Sequence, residues 1–225
     1  MNNQARRRSK PSRFSLKNDS AAVARWPAAL AFLSIGGIYL LISGRHLSVP
    51  SWLILAAVLV LLVPINIARL NGLDHIVKIL ARGLTMLVTV IIASSAALLL
   101  IRLQGGGTKA GVLLRDAALI WIANILCFAL WYWEIDGGGP NVRRLDHHAS
   151  SDFLFPQMTM DPALVQGWAP DFLDYLFLAF NTSTAFSPTD TMVLSRRAKG
   201  LMMIQSLISL LVIAVLAARA INTLS

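Results

Sequence analysis

Charged residues are scarce in this chain, and cysteine is nearly absent. Only 14% of the 225 residues are charged and 56% are hydrophobic, whereas soluble domains are typically about 25% charged and about 45–50% apolar. The single cysteine, Cys127, excludes an internal disulfide, and its place in an apolar run predicts a small buried residue. The composition therefore excludes a disulfide-stabilised scaffold and indicates a membrane protein.

Known catalytic and phosphate-binding motifs are also absent. The sequence contains no H-E-x-x-H, G-x-S-x-G, Walker or paired-cysteine motif, and the glycine-rich segment 102–111 is best interpreted as a linker. The only metal-like cluster is Asp146, His147 and His148. Adjacent histidines on a loop supply at most a pair of ligands, whereas zinc needs three or four. We therefore predict no enzymatic activity, no metal site and no cofactor.

Acidic residues are rare near the N-terminus, where basic residues concentrate. Seven of the twenty lysines and arginines precede Trp26, and Asp19 is the only acid among them. This pattern predicts a disordered cytoplasmic tail over residues 1–25 that orients the first span and touches anionic lipid. Nucleic-acid binding is the alternative interpretation of such a tail, and we predict no nucleic-acid partner.

Apolar runs dominate what remains of the chain. Five of them carry no charge and reach the length of about 17–25 residues that crosses a bilayer; they are 27–43, 52–68, 84–101, 117–133 and 201–218. Segment 171–187 is shorter and predicts a sixth crossing or a re-entrant helix. The fold class predicted is thus an all-α integral membrane protein of a bacterial inner membrane.

These runs divide the chain into four predicted regions. The tail 1–25 is followed by four membrane helices over 26–134, a proline-containing acidic loop over 135–170, and a C-terminal module over 171–225. Trp131, Tyr132 and Trp133 end the fourth run, where aromatic side chains typically anchor at the headgroup level. We therefore expect these three side chains to form an aromatic belt.

Polar residues inside the apolar runs are candidate functional residues, because each needs a partner in lipid. They are Asn66, Asn124, Gln205, Ser206 and Ser209. Asn66 lies beside Pro64, where a kink is expected. Helix–helix hydrogen bonding is one role for these side chains, and the lining of a polar pathway is the other.

The segment from Asp174 onward resembles the pore module of potassium channels, in which a pore helix, a selectivity filter and an inner helix follow one another. That filter reads T-V-G-Y-G-D after a T-x-T motif. Thr182, Ser183 and Thr184 fall where T-x-T belongs, and residues 185–190 fall on the filter positions. The whole chain is also similar to uncharacterised bacterial multipass proteins with segments like "WYWE", "DFLFPQM" and "TAFSPTDTM".

The filter positions depart from the potassium-channel pattern. Only Asp190 matches, while Ser187 and Thr189 replace the glycines and Pro188 replaces the tyrosine. Glycine permits the left-handed backbone that aims carbonyls at the ion, and proline fixes φ near −65°. We therefore predict no potassium selectivity. For Asp190 we expect a structural role, held by the hydroxyls of Thr182 and Thr184.

Charge counts bear on the orientation of the spans. Five spans with the N-terminus inside leave fifteen basic residues inside and five outside, and a sixth crossing changes this to thirteen and seven. The channel orientation needs the loop before the filter outside, which reverses the five-span count. Two functions stay open: a channel-like protein for an ion or small solute, homo-oligomeric or not, and a non-conducting protein that binds a partner or lipid.

Overall fold

A computed structural model describes residues 26–42, 50–103, 110–143, 151–161, 163–165, 168–184 and 190–224. Within these ranges the chain is all-α apart from one pair of two-residue strands. Four helices are long and apolar enough to cross a membrane: Ser51–Leu70, Asp74–Arg102, Ala110–Gly138 and Arg196–Ala218. The N-terminal apolar helix is shorter, at 16 residues.

The helices follow the apolar runs of the sequence closely. Their bounds are α1 Trp26–Leu41, α2 Ser51–Leu70, α3 Asp74–Leu103, α4 Ala110–Ile135, α5 Pro140–Arg143, α6 Phe172–Thr184 and α7 Arg196–Leu224. The strands are β1 Phe153–Leu154 and β2 Met192–Val193, which pair antiparallel. Helix α2 continues through Pro64.

Helix α4 is the centre of the bundle and contacts α1, α3, α6 and α7. Its buried side chains extend over its whole length, from Leu113 to Ile135. Cys127 is among them, fully buried and 3.3 Å from the Thr89 hydroxyl, so its prediction as a small buried residue is confirmed. In contrast, α2 buries only Ile54, Val58 and Ala68, as expected of a helix whose outer face meets lipid.

Helices α1 and α2 approach each other closely at one glycine. A Cβ on Gly36 would lie 3.2 Å from the Leu55 Cα atom and 2.7 Å from its Cδ1, whereas a Cβ on Gly37 would meet nothing within 4 Å. Small residues at a crossing let two helix backbones pack tightly, which is the usual source of helix association in lipid. Gly36 therefore fixes the position of α1 on α2.

Four helix ends meet at one end of the bundle. Trp26 at the start of α1, Arg69 near the end of α2, Ala81 early in α3 and Glu134 at the end of α4 all line one cavity. We call this end the cap end, because residues 136–143, 151–161 and 190–195, here called the cap, follow or precede the helices there. Helices α6 and α7 also begin at the cap.

Helix α6 enters the bundle at the cap end and does not pass through it. Its first turn lies beside the cap, where the Phe172 and Trp133 rings pack edge to face, and its last turn contacts the middle of α7 through Gln205. Strand β2 is then back at the cap, paired with β1. The 13 residues of α6 rise about 20 Å, less than the hydrocarbon core of about 30 Å.

Candidate functional site

The cap is organised around the buried carboxylate of Asp136, which directly follows α4. One oxygen, Oδ1, accepts the backbone N–H groups of Asp152 (2.7 Å) and Phe153 (3.3 Å). The other, Oδ2, accepts the Tyr175 hydroxyl at 2.6 Å. One carboxylate therefore joins the end of α4 to the loop before β1 and to the first turns of α6.

A buried arginine supplies the opposite charge. The Arg143 guanidinium lies 3.8 Å from Asp136 Oδ2 and donates to the carbonyl groups of Asp136 and Trp133. It also lies 4.9 Å from the centre of the Tyr175 ring. Burial raises the pKa of the Tyr175 hydroxyl, so this group stays protonated and remains a donor to Asp136.

Glycines make the turn that returns Arg143 to Asp136. Gly137, Gly138 and Gly139 have φ values of 56°, 80° and 105°, a backbone region in which side chains with a Cβ are strained. The "DGGGP" segment is thus a compact turn required by the ion pair.

A second ion pair fastens the start of α7 to the cap. The Arg197 guanidinium makes two short bonds to the Asp152 carboxylate, at 2.7 and 2.6 Å, and a third to the Ile135 carbonyl. The Leu194 N–H donates to the Asp152 carbonyl next to the β1–β2 pair. The Ser195 hydroxyl accepts from the Ala198 N–H group, so Ser195 is the N-cap residue of α7.

Helix α6 begins with a reciprocal cap of two aspartates. Asp171 Oδ1 accepts the N–H groups of Leu173 and Asp174, while Asp174 Oδ2 accepts the Asp171 N–H. Partial burial raises the pKa of the Asp174 carboxyl above its ordinary value. Carboxylates at a helix start satisfy its free N–H groups and oppose the positive end of its dipole.

A polar centre, formed by Asn124, Tyr132, Ser183, Gln205 and Ser209, lies where α4, α6 and α7 meet. All five side chains are buried. The Gln205 amide donates to the Ala179 carbonyl and the Ser183 hydroxyl, both at 2.7 Å, and its oxygen accepts the Tyr132 hydroxyl. Gln205 thus links all three helices.

The polar centre receives the free end of α6. The last carbonyls of any helix have no partner within the helix, and in lipid each would cost several kcal/mol. Ser209 donates to the Ser183 carbonyl, and Ser206 lies 3.5 Å from the Thr182 carbonyl. The Trp121 indole donates to Ser209 at 3.0 Å. Side chains of α7 therefore satisfy the carbonyls that α6 leaves unpaired.

Asn124 joins this group through the α7 backbone. Its amide donates to the Gln205 carbonyl at 3.3 Å, and its Oδ1 atom is buried without a hydrogen-bond partner. The predicted intramembrane residues Asn124, Gln205 and Ser209 are thus brought together. Their contacts are those of helix–helix hydrogen bonding, one of the two roles expected for them.

The hydroxyls of the T-x-T segment do not bind Asp190. Thr182 donates to the Leu178 carbonyl and Thr184 to the Asn181 carbonyl, within their own helix. Asp190 lies at the cap and is exposed. The expectation that the two threonines hold Asp190 was therefore wrong, because a hydroxyl with its one proton on a helix carbonyl has none left for a carboxylate.

Other predicted residues lie apart from the polar centre. Asn66 is exposed on α2, where its amide donates to the Leu62 carbonyl, and it lines the cavity at the cap end. Ser187, Pro188 and Thr189 lie outside the described residues, as do the residues of the "DHH" cluster. Among the residues that are described, no group of three or more acidic, histidine or cysteine side chains could hold a metal.

The prediction of an aromatic belt at the end of α4 is wrong for two of its three residues. Tyr132 is fully buried and Trp133 is 2% exposed. The Tyr132 hydroxyl finds an acceptor in Gln205, and Trp131, only half-buried, donates its indole N–H to Thr89 at 2.8 Å. Internal hydrogen-bond partners allow these side chains to leave the interface.

Sequence reasoning missed the charged residues of the cap. They are Asp136, Arg143, Asp152 and Arg197, and the members of one ion pair, Asp152 and Arg197, are separated by 45 positions in the chain. The one available signal was the position of Asp136, an acidic residue that comes soon after an apolar run. The burial of Asp136, Arg143 and Asp152 follows only from the packing of α6 and of the β1–β2 pair in the cap.

The cap-end cavity has a volume of about 250 Å³. Its apolar wall comes from α1, α2 and the start of α3, and its polar groups are Asn66, Arg69 and Glu134. Glu134 is 5% exposed, and Arg82 donates to its carbonyl at 3.5 Å. The cavity therefore combines apolar and charged side chains at one end of the bundle.

Comparisons with known proteins provide no assignment for this arrangement. No protein-family model, no curated protein and no solved structure matches the chain.

Proposed function

We propose that the chain is a multipass membrane protein that binds an amphiphile in the cap-end cavity and does not conduct ions. The observation that carries this proposal is the lining of the cavity, which combines apolar side chains such as Phe32 and Leu62 with the charged residues Arg69 and Glu134. Ligand cavities combine apolar walls with a few polar groups that fix orientation. An amphiphile matches both halves of the lining.

The bonding of the α6 end supports a non-conducting role. A conducting path needs polar groups that face water and bind an ion weakly enough to release it. Instead, the hydroxyls of Thr182, Ser183 and Thr184 are partly or wholly buried, and those of Thr182 and Thr184 donate to helix carbonyls. Ser183 is bonded to Gln205. These groups are engaged in packing rather than presented to a solute.

A channel-like protein is the second candidate, and one observation favours it. Helix α6 enters the bundle and the chain returns at the same end, as a pore helix and its following segment do in the potassium-channel module that this segment resembles. The difference between the candidates lies in whether the return segment conducts.

A flux assay separates these two candidates. Purified protein in liposomes should give no potassium or sodium flux above that of protein-free liposomes, because the hydroxyls at the α6 end are occupied. A cation ionophore added at the end verifies that the vesicles are sealed. Protein-dependent flux that Asp190→Asn abolishes would instead establish the channel-like candidate.

The proposal places the cap end in the cytoplasm of a bacterial cell, with five crossings. By sequence, fifteen basic residues belong to this end: seven before Trp26, three from Arg69 to Arg82, and five from Arg143 to Lys199. The opposite end has five. Cytoplasmic segments carry the excess of lysine and arginine. The chain is back at the cap end after α6, where β2 pairs with β1. This segment therefore does not change the count of basic residues on either side.

Cysteine labelling tests this orientation. Asp161→Cys places a thiol in the exposed part of the cap, and Pro50→Cys places one at the opposite end. In intact spheroplasts a membrane-impermeant maleimide should label the cysteine at 50 and reach the one at 161 only after permeabilisation. The native Cys127 is buried and serves as the unlabelled background. Labelling of position 161 in intact spheroplasts would reverse the orientation.

A further inference from the structure

Resting on the function proposed above, we infer that the cap-end cavity takes the headgroup of a phospholipid that carries both a phosphate and a primary ammonium, as phosphatidylethanolamine does. The phosphate would lie at Arg69 and the ammonium at Glu134. This inference names the ligand class of the cavity, and it rests on the position, size and charges of the lining.

The position of the cavity is that of a lipid headgroup. It lies where α1 begins and α2 and α4 end, beside Trp26 and Trp133. Trp26 is 65% exposed, and an exposed tryptophan at a helix end is typical of the membrane interface. Basic pockets between membrane helices on the cytoplasmic side are known headgroup sites. A ligand held here would meet the interface rather than the hydrocarbon core.

The size of the cavity limits what it can enclose. Its volume of about 250 Å³ is below the range of about 300–1,000 Å³ that holds a drug-sized molecule. A headgroup with part of its glycerol fits such a space, but two acyl chains do not. The chains would continue along the outer faces of α1 and α2, where Leu30, Val63 and Ile67 are 51%, 58% and 54% exposed.

The charges of the lining select a zwitterion. Arginine binds phosphate through paired N–H donors, and Arg69 lines the cavity together with Asn66. Glu134 lines it as well and is nearly buried, so a headgroup with only negative charge would place that charge next to a carboxylate. An ammonium turns this repulsion into attraction.

The Glu134 carboxylate favours a primary ammonium over a quaternary one. Three N–H donors can hydrogen-bond a carboxylate, whereas a trimethylammonium group has none and is bulkier. The lining includes three small side chains, those of Ala28, Ala29 and Ala81. Phosphatidylcholine should therefore bind more weakly than phosphatidylethanolamine.

Lipid binding to the purified full-length protein tests the inference. The probes are phosphatidylethanolamine, phosphatidylcholine and phosphatidylglycerol with identical acyl chains, titrated in detergent and counted by native mass spectrometry. We expect phosphatidylethanolamine to bind about tenfold more tightly than either of the others. Glu134→Gln should remove this preference, and Arg69→Gln should weaken binding of all three lipids.

Two further variants keep the result interpretable. Ala29→Leu fills the cavity without changing a charge and should reduce binding of every lipid, while Arg102→Gln removes an exposed arginine at the opposite end and should change nothing. If no lipid binds in an Ala29→Leu-sensitive way, the proposed function fails. If binding is sensitive to Ala29→Leu but equal for the three lipids, the function stands and the headgroup inference is overturned.

Discussion

Asp136→Ala should be the most damaging single substitution in the described part of the chain, with a loss of about 3–5 kcal/mol. The change leaves two buried backbone N–H groups and the Tyr175 hydroxyl without their acceptor, and the buried Arg143 guanidinium without its counter-ion. A loss of that size is a large part of the total stability of about 5–15 kcal/mol that folded proteins have. We therefore expect little folded protein in detergent, measured by size-exclusion chromatography and thermal unfolding.

Two matched variants serve as comparisons for this result. Tyr175→Phe removes only one donor to the same carboxylate and should cost about 1–3 kcal/mol. Asp161→Ala removes an exposed carboxylate that accepts one N–H, from Ala163, and should change the unfolding temperature little. Equal stability of Asp136→Ala and Asp161→Ala would show that Asp136 does not organise the cap.

Gln205→Leu should have the second largest effect, a loss of about 2–3 kcal/mol, because it removes the side chain that links α4, α6 and α7. Single hydrogen bonds between membrane helices average only about 0.6 kcal/mol. Here one substitution removes three of them, and the buried hydroxyls of Ser183 and Tyr132 both lose the Gln205 amide as a partner. Thermal unfolding in detergent measures the loss.

Ser206→Ala is the control for that substitution. Ser206 is one residue away on the same helix, but its hydroxyl is 3.5 Å from the Thr182 carbonyl, at the limit of a hydrogen bond. Its loss should therefore stay near 0.6 kcal/mol or below. If Gln205→Leu unfolds no earlier than Ser206→Ala, then contacts other than the polar centre hold the end of α6.

Membrane helices could be predicted from this sequence because their signal is local. The predicted run 117–133 lies within α4, and 201–218 lies within α7. A charge-free apolar run of that length has few stable alternatives to a helix. The predicted segment 171–187 likewise corresponds to α6, but its length alone left open whether it crosses.

The cap and the polar centre could be predicted only in part, because their contacts are distant in the chain. Gln205 and Ser209 were visible as polar residues in an apolar helix, and their bonding across helices was one of two expected roles. The partner Ser183 was assigned to a filter motif instead. Nothing in the local sequence marks Asp152 as the partner of Arg197. That pairing forms only in the folded chain, where the start of α7 lies beside the cap.

The dependence of α6 on α7 has a consequence for the biosynthesis of the protein. Ser183 is made 26 residues before Ser209, which donates to its carbonyl, and at about 5–20 residues per second the ribosome needs roughly 1–5 s to cover that distance. During this interval the α6 carbonyls have no partner from α7, and a polar helix end is costly in lipid. The translocon or the aqueous interface must therefore hold α6 until α7 emerges, so the two helices enter the bilayer as one unit, and a chain truncated before Gln205 leaves α6 without its place in the bundle.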